Sequence, residues 1–307
     1  MTSLRLSLFV MAALLSACGP AGGDNSNNSD GHVFDYDAVV DNNNVNLNTN
    51  TNTEWQPPTN SRIYVNTADE LYYIDPGVSD DLVLIGAFSG PCTSGSGFYD
   101  IAVSEGEVIL GIAAEALYLV DAETAECTVA FQFPADPPHF FSLSYVKGVD
   151  PAEPAVDKLI AASVEEGEWV RINYPGDTIP EIFVHLGHYD FPDLAWLSSG
   201  DIISIQVDWT EYLTYATLKC PNYTEPGCES DWLAEIDPQN GDARLIGATG
   251  YQQIFGLGYW GDRVYGFTND GDYITIDVDT GAGTLVQNFP ALSFWGAGNT
   301  TIPHIVK

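Results

Sequence analysis

Apolar and polar residues alternate in short runs through most of the chain, and four of these runs share one pattern. Ala116-Leu-Tyr-Leu-Val-Asp121, Asp231-Trp-Leu-Ala-Glu-Ile-Asp237 and Asp272-Tyr-Ile-Thr-Ile-Asp277 each end in Asp, pass through a polar or Gly-containing turn and resume as a second apolar run; Glu70-Leu-Tyr-Tyr-Ile-Asp75 opens the series. Period-two alternation broken by a tight turn predicts a β-hairpin. The recurring Asp is read as the residue that begins the turn, where a short polar side chain caps the backbone.

Another pair of apolar runs precedes each hairpin: residues 99–104 and 108–113 before Asp121, and 140–146 and 158–164 before the run at 169–174. Residues 194–197 and 202–207 precede Asp237 in the same way, and 255–260 and 263–268 precede Asp277. Four strands per unit with almost no helical periodicity is the pattern of a β-propeller. The markers Asp75, Asp121, Asn173, Asp237 and Asp277 are 46, 52, 64 and 40 residues apart, and the long gap is assigned to an insertion at residues 209–228. Only one strand, residues 62–66, precedes the first hairpin. Ser293-Phe-Trp-Gly-Ala-Gly298 imitates Phe255-Gly-Leu-Gly-Tyr-Trp260 and can supply the missing innermost strand. The expectation is an all-β propeller of five blades, closed by pairing the C-terminal strand with the N-terminal hairpin. A sixth blade follows only if residues 211–220 form more than a hairpin excursion.

The N-terminus has a different character. Arg5 precedes an apolar run at residues 6–15 that ends in Leu15-Ser16-Ala17-Cys18. The run is too short and wrongly flanked for a membrane span and predicts a signal peptide. The composition then turns to Asn, Asp, Thr, Ser and Gly as far as residue 60, too polar to offset the entropy of ordering. The expected organisation is a signal peptide at 1–17, Cys18 plus a tether at 18–60, and the propeller at 61–307. Such a tether spans roughly 35 Å, from 5–6 Å times the square root of its length.

Charge narrows the list of partners. Nine basic residues against 43 acidic give −34, which repels nucleic acid and anionic membrane surfaces. The acidity reads as solubility rather than as cation sites, since no EF-hand-like spacing is present. Five cysteines leave four once Cys18 is set aside, and an even count in an exported chain predicts two disulfides. Cys220 and Cys228 bracket a turn-rich segment and pair with each other, which leaves Cys92 with Cys127.

Two resemblances add to this reading. Leu15-Ser16-Ala17-Cys18 resembles the lipobox of bacterial lipoproteins, which implies acylation of Cys18; Gly19 after it leaves export to the outer membrane open. A plain secretory signal is the alternative. The hairpin text Leu-Tyr-x-Ile-Asp-x-x-Thr-Gly resembles the repeats of quinoprotein-like (YVTN-like) bacterial propellers. Ser199-Gly-Asp201-Ile-Ile-Ser, Gly256-Leu-Gly-Tyr-Trp-Gly261 and Phe294-Trp-Gly-Ala-Gly-Asn-Thr-Thr301 resemble a group of lipoproteins from myxobacteria and their relatives. The likeness implies a fold and an envelope address, and it brings no activity with it. Quinone-binding repeats end in Trp where this chain has Val129, Ile246 and Val286, so no cofactor is expected.

Propeller ligands sit at the central channel, where the candidates are Asp100, Asp193, Trp196, Trp260, Trp295 and Asn299. Asp193 with Asp201 would suit glycoside hydrolysis if the two lay roughly 5 to 9 Å apart. His185 and His188 are expected on different sides of their segment, so no metal site is assigned. Gly256, Gly258, Gly296 and Gly298 precede no helix and are assigned to close packing of inner strands. The favoured function is a noncatalytic, monomeric cell-envelope module that binds a protein or glycan, attached to the membrane through Cys18 alone. The alternative is an exported glycan hydrolase acting through channel carboxylates.

Overall fold

The computed structural model describes residues 62–301 apart from 96, 135–138, 165–166, 175–181, 190–195, 207–210 and 262. The signal peptide, Cys18, the tether and Asp193 lie outside the described residues.

Twenty strands among the described residues form five four-stranded antiparallel sheets, the blades of a β-propeller. Blade 1 contains β1 (Ile63–Asn66), β2 (Glu70–Asp75) and β3 (Ser79–Ala87). Blade 2 runs from β4 (Asp100–Val103) through β5 (Ile109–Ile112) and β6 (Ala116–Val120) to β7 (Cys127–Gln132). Blade 3 holds β8 (Phe140–Val146), β9 (Lys158–Ser163), β10 (Glu168–Ile172) and β11 (Phe183–His188). Blade 4 holds β12 (Leu197–Gln206), β13 (Tyr212–Lys219), β14 (Trp232–Ile236) and β15 (Ala243–Ala248). Blade 5 holds β16 (Ile254–Trp260), β17 (Arg263–Thr268), β18 (Asp272–Ile276) and β19 (Gly283–Asn288). The last strand, β20 (Gly296–Gly298), returns to blade 1 and pairs with β1, Tyr64 opposite Gly298 and Asn66 opposite Gly296. This is the closure expected from the sequence.

Alternation explains why the ring holds. Successive residues of a strand face opposite sides of its sheet, so each blade feeds two cores. Ile101 and Tyr118 pack with blade 1, whereas Ala102 and Leu117 pack with blade 3. Five such clusters fill the five gaps between neighbouring blades, the last joining Tyr265, Phe267 and Tyr273 to Ile63, Val65 and Ile74. The inner strands β20, β4, β8, β12 and β16 are each neighbours of the next around the axis.

Blade 4 departs from the sequence reading. The run read as residues 202–207 is not a second strand of its own; Ile202–Gln206 continue β12, whose ladder with β13 is irregular between Ser198 and Ile202. Ser199-Gly200-Asp201, which separates the two runs, lies at this irregularity, and a Cβ on Gly200 would collide with the backbone of Phe255 in the next blade. Residues 212–219 are the second strand, hydrogen-bonded between β12 and β14. The sixth blade is thereby removed, and the segment inserted before β14 shrinks to residues 220–231.

Both disulfides form as expected, Cys92–Cys127 across 35 residues and Cys220–Cys228 across 8. The turn aspartates also behave as expected. Asp121 Oδ1 accepts hydrogen bonds from the amides of Glu123 and Thr124 and from Thr124 Oγ1, and Asp277 repeats the set with Asp279 and Thr280.

Candidate functional site

The inner strands start at one face of the ring, and the residues at those starts define its mouth. Tyr99 precedes β4, Phe141 lies at the start of β8 and Trp295 precedes β20. Their rings are close to parallel: Tyr99 lies 4.8 Å from Phe141 at 17°, and 6.1 Å from Trp295 at 15°. All three are partly exposed. Offset stacking at these separations is favourable in itself. It makes the three rings one stacked row with Tyr99 in common.

One residue further along the strands, the chemistry changes from aromatic to acidic. Asp100 and Asp201 are both 0% exposed. Asp100 accepts hydrogen bonds from Ile101 N (2.7 Å) in its own strand and Leu143 N (2.6 Å) in the next blade. Asp201 does the same with Ile202 N (2.6 Å) and with Leu257 N, and Ala297 N also reaches it. The two side chains hydrogen-bond to each other, which requires a proton between them. Burial holds both carboxyls well above the usual carboxylate range, and for Asp100 the neighbouring charge of Asp201 adds to this. Each aspartate thus stitches two blades together around the axis.

Of the six residues proposed for the channel, Asp100 and Trp295 are brought together here. Trp196 is not at the channel; it is 6% exposed and packs against Trp232, 5.8 Å away, in the core that holds Cys220 and Cys228. Trp260 ends β16 and packs against the core between blades 5 and 1. Asn299 lies at the far ends of the inner strands, where its Oδ1 accepts Tyr259 N at 2.8 Å. Alternation explains these misplacements, because a tryptophan on an inner strand can turn into a blade interface as readily as toward the mouth. Tyr99, Phe141, Asn66 and the pairing of Asp100 with Asp201 were missed. The repeated Asp-Ile at 100–101 and 201–202 is the one signal that could have linked the two acids.

The opposite face carries a buried ionic cluster. Lys147, 0% exposed, pairs with Glu105 and with Asp157 (3.3 Å) and donates to Ala155 O at 2.6 Å. Asp157 also accepts from Thr301 Oγ1 at 2.6 Å, which ties in the chain after β20. Back on the side where the inner strands start, a third fully buried acid, Asp231, accepts hydrogen bonds from Ser199 Oγ (2.5 Å), Tyr223 Oη (2.6 Å) and Ile254 N (2.8 Å). Burial pushes its carboxyl up to about 6.

His185 and His188 are a further correction. The register of β10 and β11 shifts between Trp169 and Val170, so Val170 faces His185 while Trp169 faces Gly187. This shift brings the two imidazoles to one side, 4.7 Å apart, with His185 Nδ1 3.6 Å from Glu168. No group of three or more His, Cys, Asp or Glu among the described residues is arranged to hold a metal ion. An open groove of 420 Å³ lies along blade 4, lined by Tyr212, Glu235, Asp237 and Arg244 among others.

No protein-family model and no curated protein matches the chain. Among solved structures, a protein of unknown function from Bacteroides thetaiotaomicron VPI-5482 is 12% identical, with a TM-score of 0.43 over 72% of this chain and 55% of the other. The chain therefore spans just over half the length of that relative. The PQQ-bound aldose sugar dehydrogenase of Streptomyces coelicolor is 14% identical, with a TM-score of 0.40 over 73% and 66%. The WD40 β-propeller domain of Doa1 is 12% identical, with a TM-score of 0.37 over 78% and 86%. These are likenesses of fold.

Proposed function

We propose that the protein is a noncatalytic cell-envelope lipoprotein whose propeller binds a neutral glycan at the aromatic mouth. The observation that carries this reading is the row of Trp295, Tyr99 and Phe141, three partly exposed parallel rings around one opening. Sugar C–H faces pack on such rings, and the −34 charge disfavours anionic polymers. The hydrolase alternative draws no support from Asp201. Its carboxyl is fully buried, occupied by backbone amides and hydrogen-bonded to Asp100, closer than the roughly 5 Å that a glycosidase pair needs.

The address rests on the lipobox-like Leu15-Ser16-Ala17-Cys18, on the polar tether and on the two disulfides of an oxidising compartment. The outer membrane is favoured because Gly19 follows Cys18.

A glycan array probed with the whole protein should give binding to neutral polysaccharides, weakened at least tenfold by Trp295→Ala. An array without hits, alongside a protein captured from cell envelopes through the same residue, would replace the glycan with a protein ligand. Cys18→Ala should release the chain from the membrane fraction; a variant that stays there refutes the anchor.

A further inference from the structure

The hydrogen bonds of Asp100 and Asp201 reach every blade. Asp100, in blade 2, accepts the amides of Ile101 in its own strand and Leu143 in blade 3. Asp201, in blade 4, accepts those of Ile202 in its own strand, Leu257 in blade 5 and Ala297 on β20 in blade 1. The hydrogen bond between the two carboxyls joins both sets, so one proton completes a tie that runs through all the inner strands.

Charge explains why the proton stays. Both side chains are 0% exposed, and among the described residues no Lys, Arg or His forms an ion pair with either. Two buried carboxylates in contact without a cation repel each other, so the pair gives up one proton and keeps the other, while the backbone amides solvate the single charge. The groups around the pair offer no relief. The phenol of Tyr189, after β11, is held up by burial and further by the charge of Asp201. Asp231 is bound to Ser199, two residues from Asp201. Asn66 Oδ1, buried without a partner, converges with Asp100 Oδ1 on the Cβ position that Gly296 leaves empty.

We infer that the proton shared by Asp100 and Asp201 is a clamp on the mouth of the ring: while it stays the inner strands are held together, and when alkali removes it the carboxylates part and the mouth opens. The same hydrogen bonds position the aromatic row, because Tyr99 adjoins Asp100, Phe141 stands two residues before Leu143 and Trp295 two residues before Ala297. A carboxyl protonated in the fold and ionised in the unfolded chain makes folding take up a proton. Its stabilisation is full below the ordinary carboxylate range and declines as pH rises, until the pair's own proton leaves. Asp231 has the same sign but titrates at about 6, so the slope above neutrality separates the pair from it.

The test uses the full chain. Infrared difference spectra at about pH 8, where Asp231 has ionised, should show the carbonyl stretch of one protonated carboxylic acid per chain, shifted in heavy water and missing from both Asp100→Asn and Asp201→Asn. In urea, the unfolding equilibrium constant should rise about tenfold from about pH 7 to about pH 8, the linkage of one proton, and Asp100→Asn should flatten that rise. As pH climbs further, the near-ultraviolet ellipticity that Trp295→Ala removes should fade together with the acid band, before the far-ultraviolet signal is lost. Absence of the acid band in the wild type overturns the inference, as does a band that survives both substitutions. A band that titrates while the Trp295 ellipticity holds overturns the link to the mouth. Each Asn turns an acceptor oxygen into a donor facing a backbone amide and weakens the fold, which the wild-type readings do not depend on. All readings are taken on the protein without a ligand, so the clamp can fail while the glycan reading stands, and the reverse.

Discussion

Asp277 follows the third strand of blade 5 and Asp231 precedes the third strand of blade 4, yet the fold moves their acidities in opposite directions. Hydrogen bonds from Thr280 lower the exposed Asp277, so its contribution is present above the ordinary carboxylate range and is lost as pH falls through its depressed pKa. Asp231 is raised from 3.8 to about 6 by burial, against the hydrogen bonds of Ser199 and Tyr223. Its neutral form is the one the fold favours. Stability linked to it is therefore full below pH 3.8 and is lost as pH rises through about 6, an amplitude of about 3 kcal/mol at 1.36 kcal/mol per pKa unit. Asp231→Asn should remove that slope, as read from urea unfolding between about pH 4 and pH 7; a variant with the wild-type slope would assign the pH dependence elsewhere. The turn aspartates were legible because their partners lie two and three residues away. The Asp100–Asp201 pair was not, since its partners come from across the ring and no local pattern encodes them.

At the scale of elements, the two disulfides close very different lengths of chain. Cys92–Cys127 holds a 3-10 turn at Pro91–Ser94 against β7, enclosing 35 residues, and Cys220–Cys228 closes a loop of 8. Chain-entropy arguments assign about 4 kcal/mol to the first and about 2.5 kcal/mol to the second. Replacing Cys92 and Cys127 with Ser should therefore lower the urea midpoint more than replacing Cys220 and Cys228; the reverse order would show that the short-loop disulfide contributes more than the entropy of closing its 8-residue loop. The hairpins could be read from the sequence because period two and turn chemistry are local properties. Blade 4 was misread because the apolar pattern breaks between residues 197 and 202, whereas the strand runs on through the break and Gly200 is there to admit Phe255 of the next blade. His185 and His188 were separated on paper by an alternation that the shift at Trp169 and Val170 interrupts.

For the molecule as a whole, five blades and their closure followed from the count of hairpins and from the likeness of residues 293–298 to 255–260. The identity of the mouth did not, because which side of an inner strand faces the axis depends on packing against both neighbouring blades. Closure also sets a polarity. β20 and β1 are antiparallel, so continuing their register puts Arg62 opposite Thr300, at the end of the ring away from Trp295, whose amide donates to Asn66 O. Arg62 thus lies at the back of the ring while the aromatic row opens at the front. β1 is also flanked on both sides, by β20 and by β2. A pull drawn through Arg62 runs along β1 and shears both ladders together, instead of peeling one open bond by bond. A load applied at Arg62 therefore meets the resistance of two hydrogen-bond ladders at once.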